Sequence, residues 1–97
     1  MITHIVTFRW KDDAPDDQAA QVSAGLSTLP GLVPSLRTYH FGADVGAREG
    51  NFDYAVVATF DDLDGWREYD QSADHNRVAD ELIRPFIATR ASVQFES

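Results

Sequence analysis

The chain contains no cysteine, which excludes a disulfide framework, a thiolate zinc site and a cysteine nucleophile. Cations are scarce as well. Eight Lys and Arg stand against sixteen Asp and Glu, for a formal charge of −8 and a pI near 4.5. Phosphate backbones and anionic lipid surfaces are both held by clustered Lys and Arg, so neither nucleic acid nor membrane is expected as a partner. No segment approaches the roughly eighteen apolar residues of a membrane span. The opening Met1-Ile2-Thr3-His4 lacks the basic stretch, apolar run and small-residue cleavage site of a leader. A soluble cytoplasmic protein is the expectation. What is present suffices for one core: 97 residues, 43% hydrophobic and 11% aromatic, enough for a single domain over residues 1–97 with a sheet packed on a helix layer.

Ile2 to Trp10 alternates, with Ile2, His4, Val6, Phe8 and Trp10 on one face and Thr3, Ile5, Thr7 and Arg9 on the other. That period of two predicts a strand. Lys11 to Asp17 is a turn whose proline and carboxylates suit a helix start. Ala19, Val22, Leu26 and Leu29 then recur at helical spacing up to Pro30-Gly31. Ser35 to Asp44 alternates again, setting Arg37, Tyr39 and Phe41 against Leu36, Thr38 and His40. A glycine-bearing loop, Gly46 to Asn51, leads into the clearest strand, Phe52 to Phe60. Asp61 or Asp62 caps a second helix with Leu63, Trp66 and Tyr69 on its inner stripe. Gln71 to Asp74 interrupts it, and a further helical run turns Val78, Leu82 and Ile83 inward before Pro85. Thr89 to Phe95 alternates as a fourth strand.

This order predicts an α+β, ferredoxin-like β-α-β-β-α-β domain with both helices on one face of a four-stranded antiparallel sheet. The bulky rows, His4/Val6/Phe8 and Tyr54/Val56/Ala58/Phe60, belong against the helices. The opposite face is expected to carry Thr3, Ile5, Thr7, Arg9, Thr38, His40, Ala55, Val57, Thr59, Arg90, Ser92 and Gln94. Such a row is too apolar to be fully wetted and too polar for a private core. It therefore predicts a homodimer, sheet against sheet about a two-fold axis, with the two sheets forming a barrel.

The stretches His4 to Asp13, Leu29 to Pro34, Phe52 to Val57 with Asp61-Asp62-Leu63, and Tyr69 to Pro85 around His75 resemble the stress-responsive A/B-barrel (Dabb) family along nearly the whole chain. The resemblance implies a dimeric α+β barrel. It also implies a site, because a plant branch of the family looks like polyketide cyclases with a His and Tyr acid–base pair in the second helical region. Tyr69 and His75 stand at the matching positions, and His4 matches a pocket histidine on the first strand. Two departures are plain. The family's frequent His-Pro-Ala-His is Ser72-Ala73-Asp74-His75 here, and first-helix pocket aromatics are replaced by Ala24, Gly25 and Leu26. Both departures fall where the cyclase branch holds its substrate, so the expected substrate widens from a polyketide-like one to other small carbonyl compounds.

Taken together these residues predict a pocket between sheet and helices, lined by His4, Val6, Phe8, Tyr39, Tyr54, Val56, Trp66 and Val78. In it His75 serves as base and Tyr69 as hydrogen-bond donor. The expected function is binding of a small molecule, with cofactor-free cyclase or isomerase chemistry on a polyketide-like or other carbonyl substrate. The alternative is a non-enzymatic stress or assembly protein whose barrel is structural. Asp12, Asp13, Asp16 and Asp17 lack the glycine and closing glutamate of a calcium loop, and no His-x-x-x-His pair occurs. Neither metal nor cofactor is implied.

Overall fold

A computed structural model describes residues 1–97. In chain order the elements are β1 (Ile2–Trp10), α1 (Gln18–Leu26), β2 (Thr38–Ala43), β3 (Tyr54–Phe60), α2 (Leu63–Gln71), α3 (Ala73–Val78) and β4 (Ile87–Glu96). A 3₁₀ turn follows α1 at Leu29–Gly31, and α3 runs into a π-helical turn, Ala79–Ile83, and a 3₁₀ turn, Arg84–Phe86. The strands form one antiparallel sheet ordered β2-β3-β1-β4, the ferredoxin-like plan. No helix is long and apolar enough to cross a membrane.

Local chemistry explains where the elements start and stop. Asp62 accepts from the Gly65 N–H at 2.9 Å and caps α2, satisfying an amide that the helix itself leaves free. Asp61 instead takes two hydrogen bonds from Arg37, at 2.9 and 2.7 Å. Ser72 is extended, ends α2, and caps α3 by accepting from the His75 N–H at 3.3 Å. At α1 the expected acidic start is only geometric. Asp17 makes no side-chain cap and accepts from Gln21.

The core lies between the helices and the inner rows of β1 and β3. Ile2, Val6, Phe8, Tyr54, Val56, Ala58 and Phe60 are buried there with Val22, Leu26, Leu29, Val33, Tyr69, Val78 and Ile83. Gln18 is buried too, and its amide donates to the Leu82 carbonyl at 2.8 Å, tying α1 to the π turn.

On β4 the expected facing is reversed. Register pairs Arg90 with Phe8, Ser92 with Val6 and Gln94 with His4, so these three side chains share the helix side of the sheet. Ala91, Val93 and Phe95 pair with Thr7, Ile5 and Thr3 and lie on the outer face, where Val93 is 52% and Phe95 44% exposed. Alternation separates two rows but does not say which one the helices cover. The assumption that polar means outward fails here because neither α1 nor α2 packs over this edge strand.

Within the helical layer, α1 packs tightly on α3 and the π turn at Gly25. A Cβ there would lie 2.5 Å from Leu82 Cδ1 and 3.0 Å from Val78 Cγ1. Gly25→Val should destabilise the fold by about 1–3 kcal/mol through overpacking, read as a lower urea midpoint. An unchanged midpoint would show that the π turn gives way freely.

Candidate functional site

A cavity of about 400 Å³ opens between the β1–β4 half of the sheet and the helical segment from Trp66 to Arg84. Its floor is His4, Val6, Phe8 and Val56. Trp66, Tyr69, Asp70, His75, Ala79, Ile83 and Arg84 form the helical wall, and Arg90, Ser92 and Gln94 form a polar wall along β4. The π turn contributes Ala79 and Ile83 to one side, a local widening of the kind that recurs at functional sites.

Tyr69 is the hub. Only 3% exposed, its ring lies 4.2 Å from that of His75, 5.9 Å from that of His4 and 5.4 Å from that of Phe60. Its hydroxyl is 2.7 Å from that of Tyr39, so each phenol fixes the other. Burial raises both phenols, Tyr69 to about 12, so each stays protonated in neutral solution. The break at Ser72 is what brings His75 back over Tyr69. A continuous helix would carry residue 75 about 9 Å further along the axis.

His4 is 6% exposed and its Nδ1 is 2.8 Å from Gln94 Nε2. Burial, with the nearby His75 and Arg90, lowers its pKa from 6.5 to about 4. It is therefore neutral, with Nδ1 accepting from the Gln94 amide and the proton on Nε2. Burial lowers the His75 pKa as well, with Asp70 opposing and Arg84 assisting. Two buried nitrogens of the wall, His75 Nδ1 and Trp66 Nε1, have no hydrogen-bond partner. Unsatisfied buried groups cost about 1–3 kcal/mol each. In a native fold they call for a specific reason, of which a catalytic role is one.

Of the residues expected in the pocket, His4, Val6, Phe8, Val56, Trp66, Tyr69 and His75 line this cavity, whereas Tyr39, Tyr54 and Val78 do not. Tyr39 lies beyond Tyr69 and braces it. Tyr54 reaches α1, with its hydroxyl 2.7 Å from Ser23 Oγ. Val78 turns into the core against Gly25. Each correction has one cause: a side chain on the inner face of its element can be used by packing before any cavity is reached. Asp70, Arg84, Arg90, Ser92 and Gln94 were missed. Pairing β4 with β1 in register would have found the last three.

The depressed His4 pKa has a consequence for folding. An unfolded histidine titrates near 6.5, so between pH 6.5 and 4 the unfolded chain binds a proton that the folded chain refuses. The His4 contribution is thus fully present above pH 6.5 and is lost as pH falls toward 4, by roughly 2 kcal/mol at pH 5. Urea titrations at pH 7 and pH 5 should show His4→Gln losing less stability on acidification than the wild type by about that amount. Equal losses would mean that His4 is protonated within the fold.

Comparison with known proteins agrees with this architecture. The family model described as the stress responsive A/B barrel domain (Dabb) matches residues 2–97. A dimeric ferredoxin-like protein of unknown function from Thermobifida fusca YX is 46% identical, with a TM-score of 0.91 over 99% of this chain and 90% of that one. A dimeric protein of unknown function with a ferredoxin-like fold from Bacteroides fragilis is 24% identical, with a TM-score of 0.83 over 99% and 95%. Hydroxynitrile lyase from Passiflora edulis is 22% identical, with a TM-score of 0.82 over 97% and 90%. The last two are alike in fold alone. The chain has no significant match among curated proteins. With the family match running from residue 2 to residue 97, this chain belongs to the stress responsive A/B barrel (Dabb) family.

Proposed function

We propose that this chain is a homodimeric small-molecule-binding protein whose cavity carries out cofactor-free proton transfer on a carbonyl substrate, as a cyclase or isomerase would. One observation carries the reading: a neutral imidazole, His75, whose Nδ1 meets no protein hydrogen-bond partner, sits in the wall of a cavity that also holds His4 and Tyr69. A neutral imidazole is competent as a base. His75 takes a proton from the carbon beside the carbonyl, and the electron pair left behind moves onto oxygen as an enolate. Tyr69 stays protonated; either hydroxyl of the Tyr39–Tyr69 pair can donate, and in this reaction Tyr39 takes that part, so that the Tyr69 O–H serves the substrate oxygen. His4, holding a proton on Nε2, supplies a second polar contact. Return of the proton to the same carbon or another one completes exchange or isomerisation. Passiflora edulis hydroxynitrile lyase supports the reading only in that this fold does house enzymes.

Dimerisation is proposed on the outer sheet face. Ile5, Val57, Val93 and Phe95 lie there among threonines, the first two half-buried and the last two exposed. Burying such side chains is worth about 1.5–3 kcal/mol each. The 46% identical Thermobifida fusca protein is described as dimeric.

Two experiments test these assignments. In D2O, the protein should catalyse deuterium exchange at the α-CH2 of a neutral aryl ketone such as propiophenone. His75→Gln should lower that rate at least a hundredfold, and Tyr69→Phe about tenfold. Because the His75 pKa lies below the usual 6.5, the rate should hold level from pH 8 to below pH 6.5 and fall only in more acid solution. Exchange no faster than in buffer, or unaltered in His75→Gln, would remove the proposed base. For assembly, sedimentation should find the wild type as a dimer and Val93→Asp as a folded monomer. A wild-type monomer at micromolar concentration contradicts the dimer.

A further inference from the structure

We infer that the cavity selects a carbonyl compound bearing a carboxylate, and that Arg90 on β4 is the residue that makes the selection. The inference rests on the proposed carbonyl chemistry and names its substrate class. Its basis is one uncompensated cation in an acidic protein. The chain carries −8 overall, yet the ionic groups lining the cavity are Arg84, which Asp80 holds, and Arg90 on one side and Asp70 on the other. Arg37, Arg67, Arg77 and Arg84 are each held by an aspartate, Asp61, Asp64, Asp74 and Asp80 respectively. The Arg90 guanidinium has no ion pair and no side-chain hydrogen bond, although acidic residues outnumber basic ones two to one. It stands on the helix side of the edge strand, opposite Phe8, at the head of the row Arg90, Ser92, Gln94.

That row grades from a cation, through a hydroxyl, to the amide that orients His4. Phe8 and His4 are four residues apart on β1, about 14 Å along the strand, and the long Arg90 side chain shortens the gap. A planar guanidinium recognises a carboxylate with two parallel hydrogen bonds. A ligand with its carboxylate on Arg90 and Ser92 and its carbonyl a few ångströms away would bring the carbonyl toward His4 and His75. The carboxylate in the cavity, Asp70, belongs to α2 on the opposite wall beside His75, so it does not contest the anion at β4. Arg90 touches the substrate's remote group and is a binding residue, not the base.

The test compares 3-benzoylpropionate with its uncharged primary amide by calorimetry and by α-proton exchange in D2O. Wild-type protein should bind the carboxylate about tenfold or more tightly than the amide. Arg90→Gln should erase that preference by weakening the carboxylate alone, and Arg90→Lys should retain part of it. Arg48→Gln removes one positive charge from a loop outside the cavity and should leave the preference intact. Equal affinity for acid and amide overturns the assignment, as does failure of both to bind. So do equal losses in Arg90→Gln and Arg48→Gln, which would mark a general field, and dissociation of the dimer by Arg90→Gln, which would mark an interface residue. The two readings fail separately. If acid selection through Arg90 survives while His75→Gln leaves exchange untouched, the base is wrong and the anion subsite stands. Exchange that needs His75 but treats acid and amide alike removes only Arg90.

Discussion

The register of β1 is the constraint on which the molecule depends. This strand is hydrogen bonded on both sides, to β3 and to β4, and its inner row is at once the floor of the core and the floor of the cavity. Ile2, Val6 and Phe8 are held dry beneath the helices, and His4 is carried inward with them because it occupies an inward position. A slip of one residue would turn all four outward and expose Thr3, Ile5 and Thr7 to the core. The burial of a histidine is therefore imposed by three apolar neighbours at alternate positions. The depressed basicity of that imidazole follows from the same geometry.

The second determinant is the break at Ser72. Helix α2 supplies Trp66 and Tyr69 from one stripe, and α3 returns His75 to within 4.2 Å of the Tyr69 ring. Ser72 makes this possible by adopting an extended conformation and capping the helix that follows. The Tyr39 hydroxyl then holds Tyr69 from behind. A catalytic group needs such support to stay in place, and here it is provided by a strand residue that never reaches the cavity. The π turn and its tie to Gln18 complete the wall, so that α1, which contributes only Leu26 to the lining, still helps to shape it.

Much of this could be read from residues alone. Alternation in Ile2–Trp10 and Tyr54–Phe60 identified the two central strands and the rows that face the helices, because burial on one side leaves a period of two in the sequence. A cap at Asp61 or Asp62 and an interruption over Gln71 to Asp74 were legible as punctuation, since caps use short polar side chains at element boundaries, and the structure assigns them to Asp62 and Ser72. The resemblance at Tyr69 and His75 pointed to the helical wall. The polar wall of β4 was not legible. Arg90, Ser92 and Gln94 look like a solvent-facing row until register places them opposite Phe8, Val6 and His4. Nor could the fates of Tyr39, Tyr54 and Val78 be told from facing alone, since an inward direction does not say whether a neighbour or a cavity lies ahead.

By itself the sequence determined the order of elements and the inward rows of the central strands, and it bracketed the start of the second helix, because these rest on periodicity and on capping within a few residues. Tertiary structure alone decided which row of the edge strand meets the cavity, which tyrosine braces and which lines, and that the arginine of that row, Arg90, faces the cavity without an aspartate. Those outcomes depend on which segments, distant along the chain, fill the space in front of a side chain, and no local pattern encodes that.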